Sequence, residues 1–392
     1  MLLVDTQLPS TLVNERSLVA AVLPECWFSS RNISALLFQG GWCVVTQSSR
    51  RRWPWLLGIL VVLGVMFVLG PRTSTMLPPI VPVSVPDHPN TLIQWLAQRE
   101  GAAGHLRPDT KARIIWADPL HPARAGCAMV YLHGFTASQG EGAPAHVRLA
   151  RAFGCNLYLP RLPGHGLQPI DALRGVDAVQ LRQAAAEALA VARVLGERVV
   201  VIGTSMGGAL ATQAVAADPR QVQALVLWSP LVRERDEQLR VLGWPWGSQL
   251  LVWVKNSGDP VMRWPVKSAY WASGAHLDGY RALYTLSRGG MHPSVYAQVR
   301  VPVFVGYYYR DAQHQDSVIS VEALRTMFTQ FGTPLKQRQL LVFPEADDHV
   351  IASPLRSRAA SQVFTATCRF IAIQGGLHLV PTMPDCDRAW AD

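Results

Sequence analysis

VVVIGTSMGGALA, residues 199–211, decides how the rest of the chain is read. An apolar run enters Gly203-Thr204-Ser205-Met206-Gly207-Gly208, and the pattern then turns helical. A serine hydroxyl is a weak nucleophile. It needs a neighbouring base, and donors aimed at the oxyanion that develops during attack. A sharp turn from strand to helix exposes such a serine, and the close approach of backbones there leaves room only for small neighbours. Gly203-x-Ser205-x-Gly207 meets that requirement between an apolar strand and an amphipathic helix. Without this context the same letters are an ordinary glycine-rich turn.

Outward from this stretch, strand-like and helix-like segments alternate. Strands are expected at 112–117, 127–134, 156–160, 198–203, 224–230, 301–308 and 339–343. Several are continuous apolar runs, as in strands buried on both faces. Helices are expected at 145–153, 177–195, 207–218, 321–331 and 357–373, the second opened by Asp177 as N-cap. The alternation predicts an α/β fold, with a mostly parallel sheet and helices on both faces. Residues 231–300 interrupt it. They carry Trp244, Trp246, Trp253, Trp264 and Trp271 with Tyr270, Tyr280 and Tyr284, and read as a helical cap inserted at one end of the sheet. Its aromatics either pack the insertion together or line an apolar pocket; Trp244, Trp246 and Trp271 are the substrate-wall candidates.

In chain order a serine of this kind is followed by an acid and then a histidine. After strand 301–308 comes YYYRDAQHQDSVIS, with Asp316 preferred as the acid and Asp311 as runner-up. After strand 339–343 comes FPEADDHVIAS, whose His349 is the expected base; His314 is the alternative. His133-Gly134-Phe135-Thr136 comes straight after the strand residues 127–132, where an oxyanion loop belongs, so the amides of Phe135 and Met206 are the candidate donors. His133 reads as a structural residue of that loop. The predicted chemistry is attack by Ser205, proton transfer to His349, orientation by Asp316, and hydrolysis of the acyl-enzyme.

HGFT (133–136), LPGHG (162–166), GTSMGG (203–208), DSVIS (316–320) and DHVIAS (348–353) together resemble the α/β-hydrolase superfamily over roughly residues 110–373. LPGHG and GTSMGG are most similar to its carboxylesterase and monoacylglycerol-lipase branch. The resemblance implies a serine ester hydrolase with a mobile cap and no metal or organic cofactor. One departure is GYYYRDAQHQD, longer than the usual loop that carries the acid. Acyl transfer or peptide hydrolysis on the same scaffold, and a non-catalytic binding role, are the competing readings.

The chain has 392 residues and a formal net charge of +9, with only four lysines. The arginines are scattered, with no basic stripe, aromatic platform or zinc spacing, so nucleic acid is not an expected partner. Arg50–Arg52 precede an uncharged run from Trp53 to Gly70. Eighteen residues would give about 27 Å of helix, near the bilayer core thickness of about 30 Å. Residues 50–72 therefore read as a signal-anchor helix, with a cleaved signal as the alternative. The arginines place its start in the cytoplasm and the folded domain, 91–380, on the extracytoplasmic side. Residues 1–49 read as a disordered extension or a start placed too early, and 73–90 as a proline-rich linker. Among six cysteines, Cys127–Cys155 and Cys368–Cys386 are the pairs open to an exported protein; free buried thiols are the alternative.

Overall fold

The computed structural model describes residues 53–168, 172–265 and 269–390. The chain divides into two units, Met1–Val61 and Val62–Asp392. The expected extension 1–49 lies outside the described residues.

The apolar run forms α1, Trp53–Val68, of 16 residues. At about 1.5 Å per residue its described residues span about 24 Å, against a bilayer core of about 30 Å. Among the described residues no helix is long and apolar enough to cross a membrane. The spanning anchor expected at 50–72 is therefore not supported. The residue pair Gly70-Pro71 explains the early stop, because a proline disfavours helical backbone in the residue before it and lacks an N–H of its own.

The expected linker ends sooner than its composition suggests. α2, Pro89–Gly101, starts with a proline at its first turn, where no N–H is needed, and with the His88 ring accepting the Asn90 N–H. Leu92 and Leu96 point from it into the core.

Seven strands form the central sheet: β1 (Arg113–Ile115), β2 (Ala125–Leu132), β3 (Asn156–Leu159), β4 (Gly196–Thr204), β5 (Val222–Trp228), β8 (Val303–Tyr307) and β9 (Arg338–Val342). β6 (Val261–Arg263) and β7 (Gly274–His276) make a separate antiparallel pair. The sheet order is β1-β3-β2-β4-β5-β8-β9, with β1 antiparallel to β3 and every other pair parallel. Each strand of the seven-stranded sheet lies at an expected position, whereas the β6–β7 pair inside 231–300 is not among the expected strands. The hydrophobic residues alternate between two cores. Ala128, Val130, Leu132, Val199 and Val201 face one. Cys127, Met129, Tyr131, Val200 and Ile202 face the other. That period of two explains the continuous apolar runs, since both faces of the sheet are covered.

The helices are α3 (Ala145–Phe153), α4 (Ala178–Leu195), α5 (Met206–Ala217), α6 (Gly247–Asn256), α7 (Leu277–Thr285), α8 (Pro293–Tyr296), α9 (Val321–Gln330) and α10 (Ala360–Ile373). Asp177 caps α4 in a full capping box with Gln180. α4 and α5 cover the first face, α3 and α10 the second. The cap region carries α6, the β6–β7 pair and α7, but Ala282, Leu286, Met291 and Tyr296 from its second half belong to the main core.

Cys127–Cys155 and Cys368–Cys386 are both disulfides. They cross-link residues 28 and 18 positions apart. Loops of that size are worth about 3 kcal/mol each through the unfolded chain.

Candidate active site

β4 ends at Thr204 and α5 begins at Met206, so Ser205 is the single residue of the turn. Its backbone stands at φ 54° and ψ −119°. A non-glycine residue there is strained by about 1–3 kcal/mol. The surroundings enforce it: the Ser205 N–H donates to the Trp228 carbonyl at 3.1 Å, and the Ser205 carbonyl accepts from Leu231 at 2.9 Å. The flanking glycines are required by contact. A Cβ on Gly207 would stand 2.0 Å from the Leu132 carbonyl oxygen, and one on Gly203 would stand 2.5 Å from the Gly207 oxygen. Gly207→Ala must push α5 off β2. We expect it to cost about 3 kcal/mol or more in urea unfolding, the upper range of overpacking; a loss under about 1 kcal/mol would show that the two backbones have slack.

Asp316 follows β8 and is fully buried. Its Oδ1 accepts the N–H groups of Val318 at 2.9 Å and Ile319 at 3.1 Å. That leaves Oδ2 for His349, whose Nδ1 lies 2.7 Å away. The structure thus brings these two expected residues together across 33 positions of chain. The other candidates pair elsewhere. Asp311 and His314 bind each other at 2.9 Å on an exposed loop. His133 is buried, with Nδ1 on the Gly134 carbonyl and Nε2 accepting the Leu162 N–H. Burial holds its pKa well below the usual histidine value, as suits a neutral loop support.

His349 is different. Burial works against its charged form, but the negative charges of Asp316, Glu141 and Asp348 outweigh it, and its pKa lies above the usual value. Nε2 is buried and has no hydrogen-bond partner, so no bond joins it to the Ser205 hydroxyl in this structure. Such bonds are often loose before a substrate is bound.

The expected oxyanion donors fall on either side of Ser205. Met206 is the first residue of α5, so its amide is among the donors that a helix N-terminus leaves unpaired. Phe135 follows Gly134, and a Cβ on Gly134 would stand 3.3 Å from the Ser205 Cβ.

A cavity of about 560 Å³ opens beside His349. Phe135, Leu239, Trp264, Trp271, Tyr280 and Val350 give it an apolar wall; Glu234, Asp236 and the Asp348–Arg356 ion pair mark its polar side. Ser205, 8% exposed, is not part of the lining. Of the three expected wall tryptophans only Trp271 lines the cavity. Trp244 and Trp246 are 54% and 41% exposed and do not. They sit in the turn that leads into α6, where the Trp246 indole donates to the Met66 carbonyl at 3.1 Å. Trp264, Tyr280 and Leu239 take the expected place instead. Clustering of aromatics in sequence gave their neighbourhood but not the face that each presents.

The model of the alpha/beta hydrolase family matches residues 129–387, well over half of the chain. The chain belongs to the alpha/beta hydrolase family. A solved structure described under "two metagenome-derived lipolytic enzymes" is similar to this hydrolase with a TM-score of 0.55 and 16% identity, over 68% of this chain and 99% of that one. At that identity the likeness shows the shared fold. A monoacylglycerol lipase of Paleococcus ferrophilus (TM-score 0.46, 12% identity, 66% of this chain and 97% of that one) and a monoglyceride lipase of Saccharomyces cerevisiae (0.47, 12%, 66% and 90%) are too distant to carry an argument. No curated protein matches the sequence.

Proposed function

We propose that this hydrolase cleaves carboxylic esters through an acyl-enzyme on Ser205. The observation that carries the reading is the buried Asp316–His349 pair at 2.7 Å, placed after β8 and β9, with His349 facing an apolar cavity. The serine Oγ attacks the ester carbonyl carbon and gives its proton to Nε2 of His349. Nδ1–H donates to Asp316, which stabilises the imidazolium. The amides of Phe135 and Met206 hold the oxyanion. The imidazolium then protonates the departing alkoxide, and water repeats the sequence on the acyl group.

The wall of Phe135, Trp264, Trp271 and Tyr280 suits the acyl chain of an ester better than a sugar or a charged peptide. Each buried methylene is worth about 0.8 kcal/mol, or roughly fourfold in kcat/KM. The two disulfides favour an oxidising compartment as the place of action.

The direct test is labelling of the protein with a fluorophosphonate, followed by kinetics on 4-nitrophenyl esters of rising chain length. Labelling and a rise in kcat/KM with acyl length are expected. Trp264→Ala should flatten that rise, by about tenfold for the longer esters, whereas Trp244→Ala should leave it within twofold. A parent protein that is folded yet never labelled would defeat the reading, and an equal effect of both tryptophans would misplace the acyl wall.

A further inference from the structure

Among the described residues, Glu141 is the one buried carboxylate beside the site that the proposed reaction leaves without a task. It lies in a short helical turn, Gln139–Gly142, after the oxyanion loop, and is 2% exposed. A buried charge of this kind is costly unless it is met by donors. Two donors meet it by hydrogen bonds, and a third group stands by it. The Gly134 N–H donates to Oε2 at 2.6 Å and the Tyr131 hydroxyl lies 3.0 Å from the same oxygen; the Trp271 indole also favours the charged form. Each group belongs to a different part of the site. Gly134 precedes the expected oxyanion donor Phe135. Tyr131, on β2, also lies 3.0 Å from the hydroxyl of Thr204, the residue before Ser205. Trp271 is a wall of the cavity.

We propose that Glu141 is a positioning residue whose carboxylate ties the oxyanion loop and the serine turn into one hydrogen-bonded unit beside the cap wall at Trp271, and whose charge supports the His349 imidazolium. This rests on the catalytic reading above for its kinetic consequence but not for its geometry. The proton count makes the unit sensitive to ionisation. The Gly134 amide and the indole can only donate, so the unprotonated carboxylate suits them. When Glu141 takes a proton, its new O–H has Tyr131 as an acceptor, and the Tyr131 hydroxyl then turns to Thr204. The direction of the chain next to Ser205 reverses, and the carboxyl offers the loop a weaker acceptor.

The groups that face this unit are few. Burial raises the Glu141 pKa to about 7, against the Gly134 and Tyr131 hydrogen bonds, the His349 charge and the nearby Trp271 indole, which lower it. Burial likewise keeps Tyr131 protonated, well above its usual pKa. His146 of α3 packs on the Tyr131 ring at 4.7 Å, and burial holds it near 4, so it is neutral where Glu141 titrates. Asp316 and Asp348 act on the far side, through His349. The charges of Glu141 and His349 favour each other, so the acid limb of activity reflects both groups.

The experiment has two arms on the full chain. In the first, the indole N–H of Trp271 is followed by proton NMR against pH, assigned by its loss in Trp271→Phe. A titration with a midpoint near 7 is expected in the parent, and its absence in Glu141→Gln. A Trp271 signal that ignores pH, or one that titrates equally in Glu141→Gln, overturns the proposal, and this arm reads the same in a catalytically silent protein. The second arm is the pH profile of fluorophosphonate labelling. Glu141→Gln removes the charge that supports the imidazolium, so the acid limb should move to lower pH by about half a unit or more, with the plateau rate down about tenfold. Tyr131→Phe removes a donor from the carboxylate and should move the midpoint of the Trp271 titration to higher pH; it also serves if Glu141→Gln does not fold. Limbs that superimpose after scaling would reduce Glu141 to a packing role. A parent that is never labelled fails the catalytic reading and leaves the first arm to decide this one.

Discussion

Ser205→Ala is expected to lower kcat/KM for 4-nitrophenyl esters by about 10⁴-fold or more and to abolish fluorophosphonate labelling. The loss corresponds to about 5.4 kcal/mol of transition-state stabilisation. The substitution takes away one oxygen and leaves everything that holds the turn. The strained φ of 54°, the Trp228 and Leu231 backbone bonds and the glycine contacts are all backbone features, and alanine keeps them. The variant should therefore unfold at the same urea concentration as its parent, within about 0.5 kcal/mol. That separation is what makes the experiment informative. Full loss of labelling with unchanged stability assigns the nucleophile. Labelling that survives in Ser205→Ala would move the reactive group to another residue and leave the strained turn without a catalytic reason.

The sequence carried the scaffold well because the scaffold's causes are local. β4 reads as a strand since Val199 to Ile202 feed both cores, and no polar residue interrupts them. Asp177 announces the start of α4 by residue type alone, and the structure adds Gln180 to it in a capping box. Gly203 and Gly207 are legible from the turn that they flank, although the backbone a Cβ on Gly207 would strike, at Leu132, is distant in the chain. Asp316 could be preferred to Asp311 because it falls just ahead of the next helix, and the structure gives its two oxygens separate partners.

What was not legible depends on non-local contacts. The interior of 231–300 holds five tryptophans, and composition alone cannot say that Trp264 and Trp271 face the cavity while Trp244, Trp246 and Trp253 face outward. The same blindness hid Glu141. A glutamate between two glycines reads as a surface turn; only the fold brings Tyr131, Gly134 and Trp271 around it. The apolar run from Trp53 to Gly70 also counts more residues than the described helix, which closes at Val68 ahead of Gly70-Pro71.

Asp316→Asn should cost nearly as much as loss of the serine, about 10⁴-fold in kcat at neutral pH, for a reason that follows from the hydrogen bonds. Oδ1 of Asp316 is held by two backbone N–H groups that can only donate, those of Val318 and Ile319. An asparagine must keep its carbonyl oxygen there. Its NH₂ group then occupies the place of Oδ2, 2.7 Å from His349 Nδ1. An NH₂ group donates, so Nδ1 must become an acceptor and the ring proton moves to Nε2. In that tautomer Nε2 cannot take the serine proton. The negative charge is lost as well, and with it a support that raises the His349 pKa. The residual activity should therefore show its acid limb at lower pH than the parent, since the imidazole deprotonates more readily. The check is a pH profile of kcat/KM for both proteins, with chemical denaturation to confirm folding. A drop below tenfold, or an acid limb that stays in place, would mean that the orientation of His349 does not depend on Asp316, and the 2.7 Å contact would be structural rather than catalytic.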